Sequence, residues 1–427
     1  MKRFLIVFLA FALLPSLSLA EGSPAEDAMA LIGARDFDAL YAMCDELMQT
    51  QLGSAEAFGQ VWGQIEATFG PYAGQLGVEP GDVPGYDAYD VSCDFANATA
   101  TLIVIFDADG KLAGLSVLDY AMKPAEADAA GGYIEEDIIL RPGEPDETHG
   151  KLALPEGEGP FPCVVMMQGS GASNMDETVY GVSIFAELAC MLARGGVASV
   201  RYDKYSYAHA DLLAGNAAFT VDDEYAIDAA SAVELLAADA RIGEIYLLGH
   251  SQGAMVAPRV AEKVGAEKLA GLVLLAGSPK PLYEILLRQM KDAGADERVL
   301  ASAQAQFEAM WTMTEDERKA EAASGVPLSY WHDEADYDYA AKIVERGLPV
   351  FVAQGAKDFQ VLPEEGIEAY REVLSGYDGA TYMLYDDMNH LLCEMPGEMT
   401  GTVSDYEGLS GVSNALAGDI AAWILAR

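Results

Sequence analysis

Basic residues are scarce. Against 68 Asp and Glu the chain carries 25 Lys and Arg, for a formal net charge of −43 over 427 residues. Such a field repels nucleic acid and anionic lipid, so both are excluded as partners. Highly anionic substrates are disfavoured unless a local basic pocket receives them. Cysteine is also sparse: Cys44, Cys93, Cys163, Cys190 and Cys393. None forms a Cys-x-x-Cys pair, and an odd number leaves at least one thiol unpaired. Cys163 lies in an apolar strand-like run and Cys190 in an apolar helical one, so both read as core residues. Cys44 with Cys93 is a pairing that the sequence allows. With five histidines and no clustered ligands, a zinc site is not expected, nor is any other metal or organic cofactor. Beyond the N-terminus no apolar run is long enough to cross a bilayer.

Hydrophobic residues make up 51% of the chain, which argues against disorder and supplies a sizeable core. The first twenty residues stand apart. Lys2-Arg3 is a basic start, Phe4 to Leu14 a short apolar stretch, and Ser18-Leu19-Ala20 a small-x-small cleavage site. This pattern predicts a signal peptide spanning residues 1–20, cleaved after Ala20, and a secreted or periplasmic product. The absence of cysteine at the cleavage site argues against a lipid anchor. Removal of Lys2 and Arg3 leaves a net charge of −45.

Residues 23–120 read as one unit. Ala25 to Gln49 has helical spacing, with a second helix capped by Asp36, and Ser54 to Phe69 is amphipathic. Three strand-like runs follow: Ala88 to Phe95, Ala98 to Phe106 and Leu112 to Leu118. A hairpin turn at Asp107-Ala108-Asp109-Gly110 joins the last two. Helices followed by antiparallel strands give a small α+β domain. By this pattern the stretch resembles the domain of unknown function that precedes some secreted bacterial hydrolases, similar to the cone-shaped, nuclear-transport-factor-like fold. It carries no acid–base set, so ligand binding or docking is expected of it. Residues 121–132, rich in Ala, Asp and Glu and ending in Gly131-Gly132, read as a linker.

From residue 133 to 427 the order changes. Tyr133 to Leu140 and Lys151 to Leu154 open the domain. Apolar strands at Cys163–Met167, Val197–Tyr202, Glu244–Leu248, Ala270–Ala276, Pro349–Ala353 and Thr381–Tyr385 then alternate with helices. Near-continuous apolar strands between helices predict an α/β fold with a mostly parallel sheet covered on both faces. An insertion at about residues 280–346 interrupts it. Helical segments Leu282–Lys291, Glu297–Met313 and Glu315–Ala323 would cap the strand ends. Tyr283, Phe307, Met310, Trp311, Met313, Tyr330 and Trp331 there would line an apolar acyl or aryl pocket or form the insertion's own core.

Gly249-His250-Ser251-Gln252-Gly253 lies between an apolar strand and a helical segment. Strand, sharp turn and helix with serine at the apex form a nucleophile elbow; the competing reading is a glycine-rich turn with a serine N-cap. A serine nucleophile needs a base, and the base needs a group that fixes its tautomer. Of His149, His209, His250, His332 and His390, only His390 follows the last strand on a loop, the place that chain order in this class of sheet requires. The acid belongs on a loop that ends a strand between Ser251 and His390. Asp358 meets that condition. Asp386 and Asp387 lie too near His390 in sequence, and Glu364 and Glu365 could simply begin the next helix. The expected oxyanion donors are the backbone N–H groups of Gln252, directly after the nucleophile, and Ser170, in the loop Gln168-Gly169-Ser170-Gly171. A plain glycine turn is the alternative for that loop.

These segments, with Asp176-Glu177-Thr178, Arg201-Tyr202-Asp203-Lys204, Ala257-Pro258-Arg259, Gly355 to Asp358 and Asn389-His390, occur in an order that resembles the secreted α/β-hydrolase esterases of bacteria. The resemblance covers roughly Tyr133 to Arg427. It implies an α/β-hydrolase fold of eight strands with a helical cap, and carboxylesterase activity on a small-molecule ester, commonly of short acyl chain. Many relatives have histidine where this chain has Gln168, which puts the hydrogen bonding of that loop in question. The same fold serves acyl-CoA thioesterases, dienelactone hydrolases and serine peptidases, so thioester and amide hydrolysis are rival readings. A secreted binding protein without catalysis is a rival of another class.

Overall fold

The computed structural model describes residues 23–123, 131–213, 216–323, 325–409 and 411–427. The expected signal peptide at residues 1–20 and residues 124–130 of the expected linker lie outside the described residues. The chain divides near residue 125 into two compact units.

The first unit begins with helices α1 (Pro24–Gly33), α2 (Phe37–Met43), α3 (Glu46–Leu52) and α4 (Ala55–Phe69). Each is started by a polar cap. Ser23, Asp36, Asp45 and Ser54 accept hydrogen bonds from first-turn N–H groups that have no partner within the helix. Asp45 and Gly53 therefore split the stretch expected to hold two helices into three. Strands β1 (Tyr72–Pro80), β2 (Asp87–Phe95), β3 (Ala98–Phe106) and β4 (Leu112–Met122) form one antiparallel sheet in that order. Strand β1 is absent from the sequence expectation. It contains Gly74 and Gly77, and register shifts break its alternation twice. β4 extends through Tyr120 to Met122, so the boundary of the linker moves back from residue 121. Phe58, Trp62 and Phe69 of α4 pack on Val91, Phe95, Leu102 and Val104 of the sheet. Cys44 and Cys93 are free thiols, as are the other three cysteines, and burial pushes both up to about 12. They serve as core residues rather than as a disulfide.

The second unit is built on β5 (Tyr133–Leu140), β6 (Thr148–Pro155), β7 (Phe161–Met167), β8 (Ala198–Tyr202), β9 (Ile242–His250), β10 (Gly271–Leu275), β11 (Val350–Gly355) and β12 (Ala380–Tyr385). The sheet order is β12-β11-β10-β9-β7-β8-β6-β5. All neighbours from β8 to β12 are parallel, while β6 runs against β5 and β8. Every residue of β8, β10 and β11 is buried, as strands covered on both faces require. The covering helices include α5 (Ile184–Arg194), α6 (Ile227–Ala237, entered through a π-turn at Asp222–Ala226) and α7 (Gln252–Val264).

Between β10 and β11 the described residues form five cap helices: α8 (Leu282–Asp292), α9 (Glu297–Met310), α10 (Glu315–Ala320), α11 (Leu328–Ala335) and α12 (Tyr339–Arg346). Sequence spacing anticipates the first three. α11 and α12 have eight residues each, too few for a clear apolar period. Phe307, Met310, Tyr330 and Trp331 are buried, with Phe307 stacked on Tyr283 and edge-on to Trp331. Trp311 is exposed. The buried aromatics therefore form a core of the insertion, and Tyr330 also contacts Gln252 of the elbow.

Glu334 of α11 is fully buried and accepts the Leu282 N–H at the start of α8. Burial raises its pKa from 4.5 to about 8. A carboxyl whose pKa is raised on folding contributes stability below pH 4.5 that is lost as pH rises through about 8. Raising the pH from 6 to 9 is therefore expected to lower the melting temperature of the wild-type chain more than that of Glu334→Gln. Parallel melting curves for the two proteins would contradict this assignment.

Two further helices are α13 (Ile367–Val373), after β11, and α14 (Asn414–Leu425), near the C-terminus.

Candidate active site

The turn from β9 to α7 is tight enough to select its residues. A Cβ at Gly249 would lie 2.2 Å from the Gly253 carbonyl oxygen, and one at Gly253 would lie 2.2 Å from that of Met167. Ser251, at the apex, has φ 52° and ψ −119°, a backbone conformation that side chains disfavour. Its side chain makes no N-cap hydrogen bond, which removes the competing reading of a capping serine. The Ser251 N–H is anchored on the Leu275 carbonyl at 2.9 Å. The hydroxyl is thus held at the C-terminal edge of the sheet.

His390 stands in the turn after β12. That turn is closed by Asn389, whose N–H donates to the Cys393 carbonyl at 3.0 Å and whose Oδ1 accepts the Cys393 N–H at 3.1 Å. The structure brings His390 Nε2 to 3.1 Å from Ser251 Oγ and Nδ1 to 2.8 Å from Asp358 Oδ2. Both His390 and Asp358 are buried. The other carboxylate oxygen of Asp358 accepts the N–H groups of Gln360 and Val361 at 2.9 and 2.8 Å. Gln354 steadies the same loop, accepting the Ile367 N–H at 2.7 Å and donating to the Val361 carbonyl. Four of the alternatives are engaged elsewhere. Asp387 pairs with Lys357, Glu365 with Arg288, His209 with Thr148, and the His332 ring lies against Trp311. His149 sits on β6, opposite Ile139.

The expected oxyanion loop follows β7. A Cβ on Gly169 would fall 3.1 Å from Ser251 Cβ, so this backbone lies directly beside the nucleophile position. Gln168 is buried and donates from Nε2 to the carbonyls of Asn174 and Tyr202. It therefore satisfies the hydrogen bonding of this loop from its own side chain. Ser170 is exposed at the tip of the loop. Gln252 begins α7, where backbone N–H groups lack helical partners.

Four buried groups, His250, Glu177, Lys204 and Tyr225, form a polar network around the site. His250 places Nδ1 3.0 Å from Glu177 Oε1 and Nε2 2.8 Å from the His390 carbonyl. Burial alone would lower its pKa, but the Glu177 carboxylate and the His390 carbonyl hold it above the ordinary value. With acceptors at both nitrogens, the imidazolium form satisfies both. Glu177 also accepts the Gly169 N–H at 2.6 Å. Lys204, 1% exposed, donates to the carbonyls of Gly169 and Gly171 at 2.7 and 3.1 Å and pairs with Glu224 at 3.0 Å. Burial lowers its pKa, against the opposing pull of Glu224. The Tyr225 hydroxyl accepts from Lys204 at 2.7 Å and has Gln252 Oε1 at 3.1 Å and the Gly169 carbonyl at 3.2 Å as acceptors for its one proton, and Gln252 Nε2 donates to Tyr330 of the cap at 2.9 Å. The segments Asp176-Glu177 and Asp203-Lys204 are visible in the sequence, but nothing in their spacing foretells a shared buried cluster.

With this geometry the chain can be set beside known proteins. Residues 25–115 match a family described as protein of unknown function (DUF3887). Esterase EstD of Thermotoga maritima is 29% identical over 401 residues, which cover 92% of each chain. Among solved structures, Est1E from Butyrivibrio proteoclasticus is 14% identical with a TM-score of 0.46, and the match covers 68% of this chain and 99% of that one. Residues 164–401, more than half of the chain and the part that carries Ser251, Asp358 and His390, match the alpha/beta hydrolase family, to which this chain belongs.

Proposed function

We propose that this alpha/beta hydrolase is an exported serine esterase acting on carboxylic esters of short acyl or aryl groups. The observation that carries the reading is the unbroken path from Ser251 Oγ through the His390 ring to the Asp358 carboxylate, at 3.1 and 2.8 Å. The 29% identity with an esterase along nearly the whole chain supports it.

In this reading His390 Nε2 takes the Ser251 proton as Oγ attacks the ester carbonyl. Asp358, on Nδ1–H, fixes the tautomer and stabilises the imidazolium. The N–H groups of Gln252 and Ser170 receive the oxyanion. Collapse of the tetrahedral intermediate breaks the ester C–O bond, and the alcohol leaves with the proton from His390. A water deprotonated by His390 then attacks the acyl-enzyme, releasing the acid and restoring Ser251. These steps use only side chains and backbone donors of the chain.

A panel of aryl acetate, aryl butyrate, thioester and aminoacyl-amide substrates tests the class. Ester turnover is expected to exceed amide turnover by at least about 100-fold in kcat/KM, a difference of about 2.7 kcal/mol in transition-state stabilisation. Preferred amide or thioester hydrolysis would reassign the site. The reading of residues 1–20 as a signal peptide supports export and predicts a mature N-terminus at Glu21, which N-terminal sequencing of the processed protein reads directly. For residues 23–120 we propose docking or ligand binding rather than chemistry. Ester turnover that survives removal of that unit agrees with this role, and turnover abolished in a folded remainder refutes it.

A further inference from the structure

We propose that Lys204 is a positioning residue that orients the oxyanion loop, and that the network around it links this orientation to the cap. The inference rests on the serine-esterase reading and concerns a buried cation that the reaction steps do not use.

Four oxygens surround Lys204 Nζ: the carbonyls of Gly169 and Gly171, the Tyr225 hydroxyl and a Glu224 carboxylate oxygen. The single Tyr225 hydroxyl proton lies between the Gly169 carbonyl at 3.2 Å and Gln252 Oε1 at 3.1 Å and is shared by the two acceptors. The Gly169 carbonyl is thus drawn to the Lys204 side by a charged donor and a phenol. The peptide from Gly169 to Ser170 is trans, so its N–H points opposite to its carbonyl. Fixing the Gly169 oxygen on Lys204 therefore turns the Ser170 N–H to the other side. The same loop lies against Ser251, as the Gly169 approach demonstrates. Glu177, accepting the Gly169 N–H at 2.6 Å, pins the preceding peptide, so both peptides flanking Gly169 have one assigned direction. An oxyanion donor is effective because it is aimed before charge develops, and a loop rich in glycine needs external restraint to hold such an aim.

The restraint reaches the cap. Glu224 and Tyr225 sit in the π-turn before α6. Tyr330 of α11 donates to the Glu224 carboxylate and receives Gln252 Nε2. Gln252 carries the other expected oxyanion donor. One buried network thus holds both donor-bearing segments and one cap helix.

The test compares wild type with Lys204→Met, which keeps much of the side-chain volume and removes the donors. Rates on an aryl acetate are measured together with inhibition by an arylboronic acid, which forms a tetrahedral adduct on an activated serine. A mispositioned oxyanion donor is expected to lower kcat by about 100-fold and weaken the boronate by a similar factor, with KM changed by less than about threefold. An unchanged kcat overturns the proposal, and so does a reduced kcat with undiminished boronate affinity. If circular dichroism shows that Lys204→Met does not fold, Tyr225→Phe takes its place. It removes the phenol from the Gly169 carbonyl and is expected to lower kcat and boronate affinity together by about tenfold, about 1.4 kcal/mol. Unequal losses would again overturn the brace. Ser251→Ala separates the two readings: full activity in that variant sinks the esterase reading and the brace with it. An inactive Ser251→Ala beside a fully active Lys204→Met removes the brace alone.

Discussion

Replacing Ser251 by alanine is expected to lower kcat for an aryl ester by about four to six orders of magnitude. The hydroxyl is the group from which the covalent path starts, and removing it leaves His390 and Asp358 without a nucleophile to activate. Residual turnover would come from water attacking a substrate held by the oxyanion donors, a contribution of about 10³ over solution. Stability should change little. Ser251 has φ 52°, which is as awkward for alanine as for serine, and the side chain makes no N-cap hydrogen bond to lose. The expected result is an inactive protein with a melting temperature within a few degrees of wild type. Retained turnover would remove Ser251 from the reaction, and a collapsed fold would leave the loss attributable to structure.

Gly253→Ala is expected to destabilise the protein strongly. The added Cβ would meet the Met167 carbonyl oxygen at 2.2 Å, the Gln168 carbonyl oxygen at 2.6 Å and the Met167 carbonyl carbon at 2.8 Å. All are backbone atoms at the end of a central strand, so no flexible side chain can swing aside. Either α7 must withdraw from β7 or the oxyanion loop must shift, and each disrupts packing that is close to crystalline density. A cost above about 4 kcal/mol follows. It should appear as a melting temperature lower by at least about 10 °C, or as failure to fold. A melting temperature within 2 °C, roughly 1 kcal/mol for a domain of this size, would show that the elbow is looser than its geometry implies.

The second unit was legible in its sequence because parallel strands buried on both faces are near-continuous apolar runs. Val197–Tyr202 and Pro349–Ala353 stand out for that reason, and their edges move by only a residue or two in the structure. The elbow was legible because its steric demand is written as glycines two residues either side of Ser251. His390 and Asp358 were found through topology, since loops at the same edge of a parallel sheet converge however far apart they lie in the chain.

Other features lack a one-dimensional signal. Strand β1 of the first unit is interrupted by glycines and bulges, so its alternation fails. Helices α11 and α12 are too short for a period, although Asp338 caps α12 and Gly347 ends it in the left-handed conformation. The His250–Glu177 pair spans 73 residues and joins an elbow to a loop. Lys204 is harder still, because a lysine is a solvated residue by default and its burial depends on four oxygens brought from separate segments. The Cys44–Cys93 pairing that the sequence allowed was a matter of count, and the packing of α2 and β2 leaves both as buried thiols. In sequence the cap aromatics fit a pocket and a core equally, a choice that only their mutual contacts decide.

The central claim is that Ser251 is a nucleophile activated by His390. Intact-mass and peptide-mapping analysis of the protein treated with a fluorophosphonate tests it most directly. The account predicts one adduct, on the peptide that carries Ser251, with ester turnover lost in proportion to labelling and no adduct in Ser251→Ala. Full ester turnover in an enzyme whose Ser251 is completely labelled, or an adduct on another residue that abolishes turnover, would contradict it.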